Sequence, residues 1–323
     1  YGANSVFFYA ASGMSGLLNS VSHNFWRLFG GGTTVYGNLC WPAGLEATNL
    51  TLGENKHNHP WDLENAKLII VWGKNPAESN IQQMIPIEKA QQNGAKLVFI
   101  DPRRTELAKY ATHHLALRPG TNVAVLNMMM YYIITEGLVD NDFIKNRTEG
   151  YEDFKKELLS IDLDHLEKVS GVNRNEVKAA AIAYATAPNA MSFHGLGVTE
   201  HSQGTFTVMQ IADLALLTGN IGRPGVGVNP LRGQNNVQGS ADMGVQPHQG
   251  AGYLDITKPD VNARYNEFYG VDVPSKIGYK IPEMFDAALE GKLRAIWIIG
   301  EDVVQTDPNT QKVIKALEAT DLV

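Results

Sequence analysis

A single cysteine, Cys40, stands in the run Gly37-Asn38-Leu39-Cys40-Trp41-Pro42-Ala43-Gly44. Glycine on both sides and proline close by specify a turn rather than a core strand. A thiolate is a soft ligand suited to a transition metal. The commoner use of a lone cysteine is as a small buried hydrophobe, and the turn setting is what argues against that use here. Two glycines invite a second kind of chemistry. Gly73 closes the apolar run of residues 67–72, and a helix pattern follows it. A strand ending in glycine before a helix presents free backbone N–H groups, a geometry that suits phosphate. Asp101 closes the next such run, residues 96–100, where a carboxylate can take a sugar hydroxyl or a base edge. The pattern returns at residues 294–302, with Gly300 and Glu301 after the strand. There is no GxGxxG, so the nicotinamide fingerprint is absent. Taken singly, each glycine reads equally as a plain strand-to-helix turn; two similar halves favour a cofactor with two nucleotide ends. A third candidate is Arg232, the arginine of Asn229-Pro230-Leu231-Arg232-Gly233-Gln234-Asn235-Asn236-Val237-Gln238-Gly239. Its always-charged fork suits a carboxylate; an ion pair with an acid such as Asp242 is the structural alternative.

The elements that must position these residues follow from the apolar pattern. Short apolar runs at 67–72 and 96–100 read as buried parallel strands. A third strand falls around 114–117. Helix patterns span 78–92, with Gly94 as a stop, and 123–134. Strands alternating with helices at this spacing make a doubly wound α/β layer, with helices on both faces of a parallel sheet. Residues 141–187 read as helices. A strand at 190–194 ends at Gly195-Leu196-Gly197, and a helix spans 204–217. From 222 to 252 the chain is rich in Gly, Asn, Gln and Pro without apolar periodicity, which reads as an ordered functional loop. Four segments result: 1–60, a metal-ligand segment and entry to the core; 61–140, a first α/β dinucleotide-binding unit; 141–220, helices and a connecting strand; and 221–323, the active-site loop and a second, related α/β unit that is cut short.

Bulk properties narrow the function classes. The chain has 323 residues, 44% of them hydrophobic and 19% charged, as in an ordinary globular protein. A net charge of -7 argues against a general nucleic-acid binder. No apolar run reaches the roughly 20 residues of a membrane span. With one cysteine the chain forms no internal disulfide and cannot by itself hold an iron–sulfur cluster. A cytoplasmic location is the expectation.

Several motifs together resemble the bis-molybdopterin guanine dinucleotide (bis-MGD) family, which includes formate dehydrogenases, periplasmic nitrate reductases and polysulfide reductases. Cys40 and Gly73-Lys74-Asn75 match the metal-ligand segment and the strand ending in Gly-x-Asn. Asp101-Pro102-Arg103-Arg104-Thr105 and Arg118-Pro119-Gly120-Thr121-Asn122 look like guanosine-binding turns, with Asn122 where relatives often carry Asp. Gly219-Asn220-Ile221-Gly222-Arg223-Pro224-Gly225, running into the Arg232 loop, resembles formate dehydrogenase large subunits in particular. The run 195–204, with Gly195, Gly197, Glu200 and Gln203, and Gly300-Glu301-Asp302 fit the same group.

The resemblance implies an internal piece of a larger molybdenum or tungsten enzyme that oxidises formate to CO2. In it Cys40 ligates the metal, Arg232 binds the carboxylate and Gln234 orients the substrate. The nucleotide ends are held by Gly73, Lys74, Asn75, Glu78, Asp101, Arg103, Arg104, Gly120, Asn122, Gly195, Gly197, Glu200, Gln203, Gly233, Gly300 and Glu301. A [4Fe–4S] segment upstream, a pterin-clamping domain downstream and an electron-transfer partner subunit are implied as well, and the isolated piece is expected to be inactive. One departure stands out. Formate dehydrogenases usually carry His directly after the metal ligand, where it takes part in proton handling; this chain has Trp41, and an indole is no base at neutral pH. His57 and His59 are the nearest substitutes in sequence. The alternatives are the same chemistry family acting on a sulfur or nitrogen oxyanion, and a non-catalytic scaffold.

Overall fold

The structure is a computed structural model that describes residues 1–9, 21–30, 33–35, 37–244, 249–273, 275–276 and 278–323. Its strands are β1 (Val6–Tyr9), β2 (Thr33–Thr34), β3 (Leu68–Trp72), β4 (Lys96–Ile100), β5 (His113–Leu115), β6 (Ala190–His194), β7 (Gly227–Pro230) and β8 (Ala295–Ile298). The chain divides into two compact units, Cys40–Gly233 and a second built from Tyr1–Leu39 with Gln234–Val323.

In the Cys40–Gly233 unit the five strands lie in the order β5-β4-β3-β6-β7 and every pairing is parallel. Leu68 pairs with Lys96 and Trp72 with Ile100 on one side of β3, and Trp72 pairs with His194 on the other. Strand side chains alternate between faces, and each face has its own apolar cover. Leu68, Ile70, Trp72, Val98 and Ile100 join one cluster with the helices Asn122–Thr135, Arg174–Thr186 and Gly204–Leu217. Ile69, Val71, Leu97, Phe99, Met191 and Phe193 join another with Ile87 and Ala90 of the helix Ile81–Gln92. All five residues of β3 are buried. This is the doubly wound parallel sheet that the alternating runs predict.

The helices at 141–187 start where their side chains can cap them. The carboxylate of Asp140 accepts from Phe143 N, Asp162 from Asp164 N and His165 N, and Asn173 from Asn175 N, each satisfying a backbone donor that the first helical turn leaves free. Two sequence expectations change. The helix expected over 78–92 is broken: a short turn of helix, Pro76–Ser79, ends at Asn80, whose backbone is not helical, before Ile81–Gln92 begins. The loop expected over 222–252 holds regular structure, namely β7 and the helix Val237–Asp242. β7 escapes a search for apolar alternation because one of its buried residues is Asn229. Its side-chain oxygen accepts from Asn58 N at 2.8 Å. Residues 245–248 of the loop lie outside the described residues.

The second unit contains a parallel sheet in the order β2-β1-β8. Its core joins Phe7 and Tyr9 to Ile281, Met284, Phe285, Leu293, Ile296 and Val313. The strand-then-Gly pattern at 294–302 is β8 followed by Gly300, and its partner strand comes from the chain's first residues rather than from the same segment. The hydroxyl of Tyr9 donates to the buried Asp307 carboxylate at 3.0 Å.

Two outcomes test this packing. At the C-terminal ends of β3 and β6 the backbones nearly touch: a Cβ on Gly73, whose φ is +50°, would lie 2.7 Å from the carbonyl carbon of Gly197. Gly73→Ala is expected to cost about 1–3 kcal/mol in a denaturant titration, from overpacking against backbone that cannot yield. Asp213, on the helix Gly204–Leu217, has its carboxyl pushed up to about 6 by burial. A raised acid pKa means that the unfolded chain gives up this proton first. Stability is therefore lost as pH rises from about 4 to about 6, and Asp213→Asn should raise stability at neutral pH by about 1–2 kcal/mol and make no difference below pH ~4.

Candidate functional site

In an open parallel sheet, ligands bind outside the strand C-termini where the winding reverses direction. β4 and β5 extend the sheet to one side of β3, and β6 and β7 to the other, so the reversal falls between β3 and β6. The backbone there is closely knit. Gly73 N donates to Ile100 O at 2.9 Å, Gly195 N to Trp72 O at 3.1 Å, Gly197 N to Gly73 O at 3.1 Å and Leu231 N to His194 O at 2.8 Å. Gly195 is crowded as well: a Cβ on it would lie 2.8 Å from the Lys74 side chain and 3.1 Å from Gly73 O.

Cys40 sits half-buried on the bend before the helix Pro42–Leu52, not inside a strand or the packed core. The hydroxyl of Thr199, on the turn after Gly197, donates to Cys40 O at 2.9 Å and ties the bend to the end of β6. Burial pushes the Cys40 thiol above its ordinary pKa. The Arg232 guanidinium pulls it back by charge and by a hydrogen bond to the sulfur, Glu200 adds to the rise, and Lys74 opposes it. Cys40 and Arg232, from opposite ends of the unit's sequence, are thus side by side. Lys74 is buried, which lowers its pKa, and its Nζ donates to Arg232 O at 3.2 Å. Asp242, offered above as a structural partner for Arg232, accepts from Gln238 and Tyr253.

The remaining sequence candidates distribute as follows. Asn75 lies next to Lys74, and both atoms of its side-chain amide are buried without a hydrogen-bond partner. Glu78 is exposed in the first turn of Pro76–Ser79. Asp101 closes β4; its carboxylate accepts from Arg103 N at 2.8 Å, and burial raises its pKa. Arg103 and Arg104 are exposed beside it. Gly120 has positive φ in the turn before Asn122, which opens the helix Asn122–Thr135. Glu200 is exposed, and Gln203 occupies the N-cap position of the helix Gly204–Leu217 without a side-chain capping bond. Gly233 ends this unit. Gln234, Gly300 and Glu301 belong to the second unit, where Glu301 accepts from the Thr306 hydroxyl at 2.9 Å. His57 and His59 are exposed and engaged locally: His57 Nδ1 lies 3.0 Å from Asn58 O, and His59 Nδ1 accepts from Trp61 N at 3.4 Å.

Two residues at the site have no counterpart among the sequence candidates for binding or catalysis. The Trp41 indole is buried, with the Arg232 guanidinium carbon 5.0 Å from its ring centroid. His194, the last residue of β6, is fully buried and stacks on Trp41 at 5.4 Å and 27°. Burial alone pushes the His194 pKa down to about 3, so the ring is uncharged. The available signal was a histidine directly before Gly195-Leu196-Gly197; inside a buried strand it reads as core.

The comparison that decides the family is a profile described as molybdopterin oxidoreductase, which matches residues 1–323. The chain belongs to that family. Formate dehydrogenase H of Escherichia coli (strain K12) is 41% identical over 263 residues, covering 81% of this chain and 37% of that protein. The assimilatory nitrate reductase catalytic subunit of Bacillus subtilis (strain 168) is 32% identical over 286 residues, covering 87% of this chain and 40% of that protein. The chain therefore spans about two fifths of the length of these relatives. Among solved structures, acetylene hydratase from Pelobacter acetylenicus superposes with a TM-score of 0.70 at 21% identity, over 100% of this chain and 47% of that one, which supports the fold. For a molybdopterin oxidoreductase the expected cofactor is a pterin carrying molybdenum or tungsten. The residues present fit it: a thiol on a bend at the switch point, a glycine-lined backbone cradle, and an orphaned amide at Asn75.

The bond holding the Cys40 bend gives a direct test. Thr199→Val keeps the side-chain shape and removes the donor to Cys40 O. It should cost about 1–3 kcal/mol in denaturant unfolding and speed alkylation of the single cysteine under native conditions.

Proposed function

We infer that this chain is part of the catalytic subunit of a formate-oxidising enzyme that uses bis-MGD with molybdenum or tungsten. The observation that carries the reading is the Arg232 guanidinium held beside the Cys40 thiol. A planar, permanently charged donor fork next to a metal-ligating sulfur is what a small carboxylate needs in order to be oriented toward the metal. The E. coli relative named formate dehydrogenase H supports the same substrate.

Oxidation of formate to CO2 releases two electrons and one proton. When bound, the pterin-held metal supplies the two-electron acceptor. This chain's residues do the rest of the work at the site. Cys40, as thiolate, would hold the metal from this chain's side. Arg232 binds and orients the carboxylate, and Lys74 fixes the backbone from which it projects. Gln234 is assigned to substrate orientation on its motif alone. Gly73, Lys74, Asn75, Glu78, Asp101, Arg103, Arg104, Gly120 and Asn122 are assigned to one nucleotide end, with Gly195, Gly197, Glu200, Gln203, Gly233, Gly300 and Glu301 completing the cofactor contacts. Trp41 does not take the proton, because its ring nitrogen is a donor only. A [4Fe–4S] cluster and an electron-transfer partner subunit would supply the electron exit, in an enzyme we assign to the cytoplasm. No helix among the described residues is long and apolar enough to cross a membrane.

The nitrate reductase relative supports a second reading, in which the same arginine faces a nitrogen oxyanion. Kinetics separate the two. In the holoenzyme Arg232→Lys keeps the charge and loses the fork, and kcat/KM for formate should fall by a factor equivalent to about 1.5–3 kcal/mol. Unchanged kcat/KM for formate removes the clamp and the formate reading with it; a loss confined to nitrate turnover supports the second reading. Cys40→Ala should abolish turnover while guanine-nucleotide binding persists.

A further inference from the structure

The Arg232 backbone is held twice over, through Leu231 N to His194 O and Lys74 Nζ to Arg232 O. Its side chain, with several rotatable bonds, is not set by those contacts. A fork that meets a small anion must surrender that freedom beforehand if binding is to be strong. The indole of Trp41 is placed to do this, since a guanidinium 5.0 Å from its centroid is within cation–π range. The indole in turn occupies a built slot. A Cβ on Gly44 would lie 2.3 Å from its six-membered ring, so only glycine leaves room there. The indole ring stacks with that of His194, 0% exposed, with neither ring nitrogen hydrogen-bonded. Burial is the sole cause of that ring's depressed pKa.

We propose that Trp41 and His194 are positioning residues, His194 acting as a floor for the indole and the indole holding the Arg232 fork where a small anion binds beside Cys40. The proposal rests on the reading that Arg232 receives the substrate anion. It makes the residue at 41 a specificity determinant of a different kind from a proton carrier. The imidazole serves as a flat apolar body, so its nitrogens are dispensable, and a benzene ring should replace it without the burden of two unpartnered polar atoms.

The test uses the holoenzyme with Trp41→Phe, Trp41→Leu, His194→Ala, His194→Phe and Arg232→Met. The chain has five tryptophans, so the emission difference between wild type and Trp41→Phe isolates the Trp41 signal without any turnover. That signal should shift in Arg232→Met and in His194→Ala and stay in place in His194→Phe. In steady state Trp41→Leu and His194→Ala should raise KM for formate about tenfold, with kcat changed far less and metal content unchanged, while His194→Phe stays near wild type. Trp41 emission indifferent to both Arg232→Met and His194→Ala overturns the proposal. So does metal content that falls in step with activity, which would make the pair a support for the cofactor. If wild-type enzyme does not turn over formate, the functional reading fails, and the emission shifts still decide this one.

Discussion

The site depends on one piece of backbone geometry, the parallel pairing of β3 with β6. Trp72 and His194 are register partners, so their strands end together, and the chain must leave both at the same level. It does so through Gly73, Gly195 and Gly197, which lie too close for side chains. That crowding brings the Lys74, His194 and Thr199 side chains to one place without a long loop. β7 extends the same register: because His194 pairs with Pro230, Arg232 emerges two residues later at the same edge. The Cys40 bend is drawn in last, through a single hydroxyl bond from Thr199. Residues from four parts of the sequence meet because parallel strands share their C-terminal edge.

Burial and charge oppose each other at this edge. Desolvation raises the Cys40 thiol and lowers Lys74, so each group alone drifts toward its neutral form. Each favours the charged form of the other, and Arg232, which is charged under all conditions, favours the thiolate. A thiol held neutral by burial yet surrounded by cations is well placed to lose its proton when a cation binds it, because metal binding and deprotonation are linked.

Much of this was legible in the sequence, for identifiable reasons. β3, β4 and β6 are short apolar runs closed by Gly, Asp or Gly, and buried parallel strands have that signature. Cys40 stood out because glycine and proline flank it. β7 did not, because one of its four buried residues is a hydrogen-bonded Asn229 instead of an apolar side chain. β1 did not, because its neighbour β8 lies almost three hundred residues away in sequence and local periodicity carries no information about such pairings. His194 was hidden by its own success as a core residue.

The replacement at position 41 shows why a site is best read as a set of contacts. Taken alone, tryptophan in place of histidine removes a group that can carry a proton. In the structure the same change supplies a broad π face, and the site accommodates it with glycine at 44 and an uncharged ring at 194. A protonatable ring at 41 would share its charge with Arg232 across a few ångströms and weaken the grip on the fork; an indole attracts the fork by its quadrupole at any pH. On the reading that Arg232 receives a substrate anion, a tryptophan at 41 separates the positioning of that fork from proton movement.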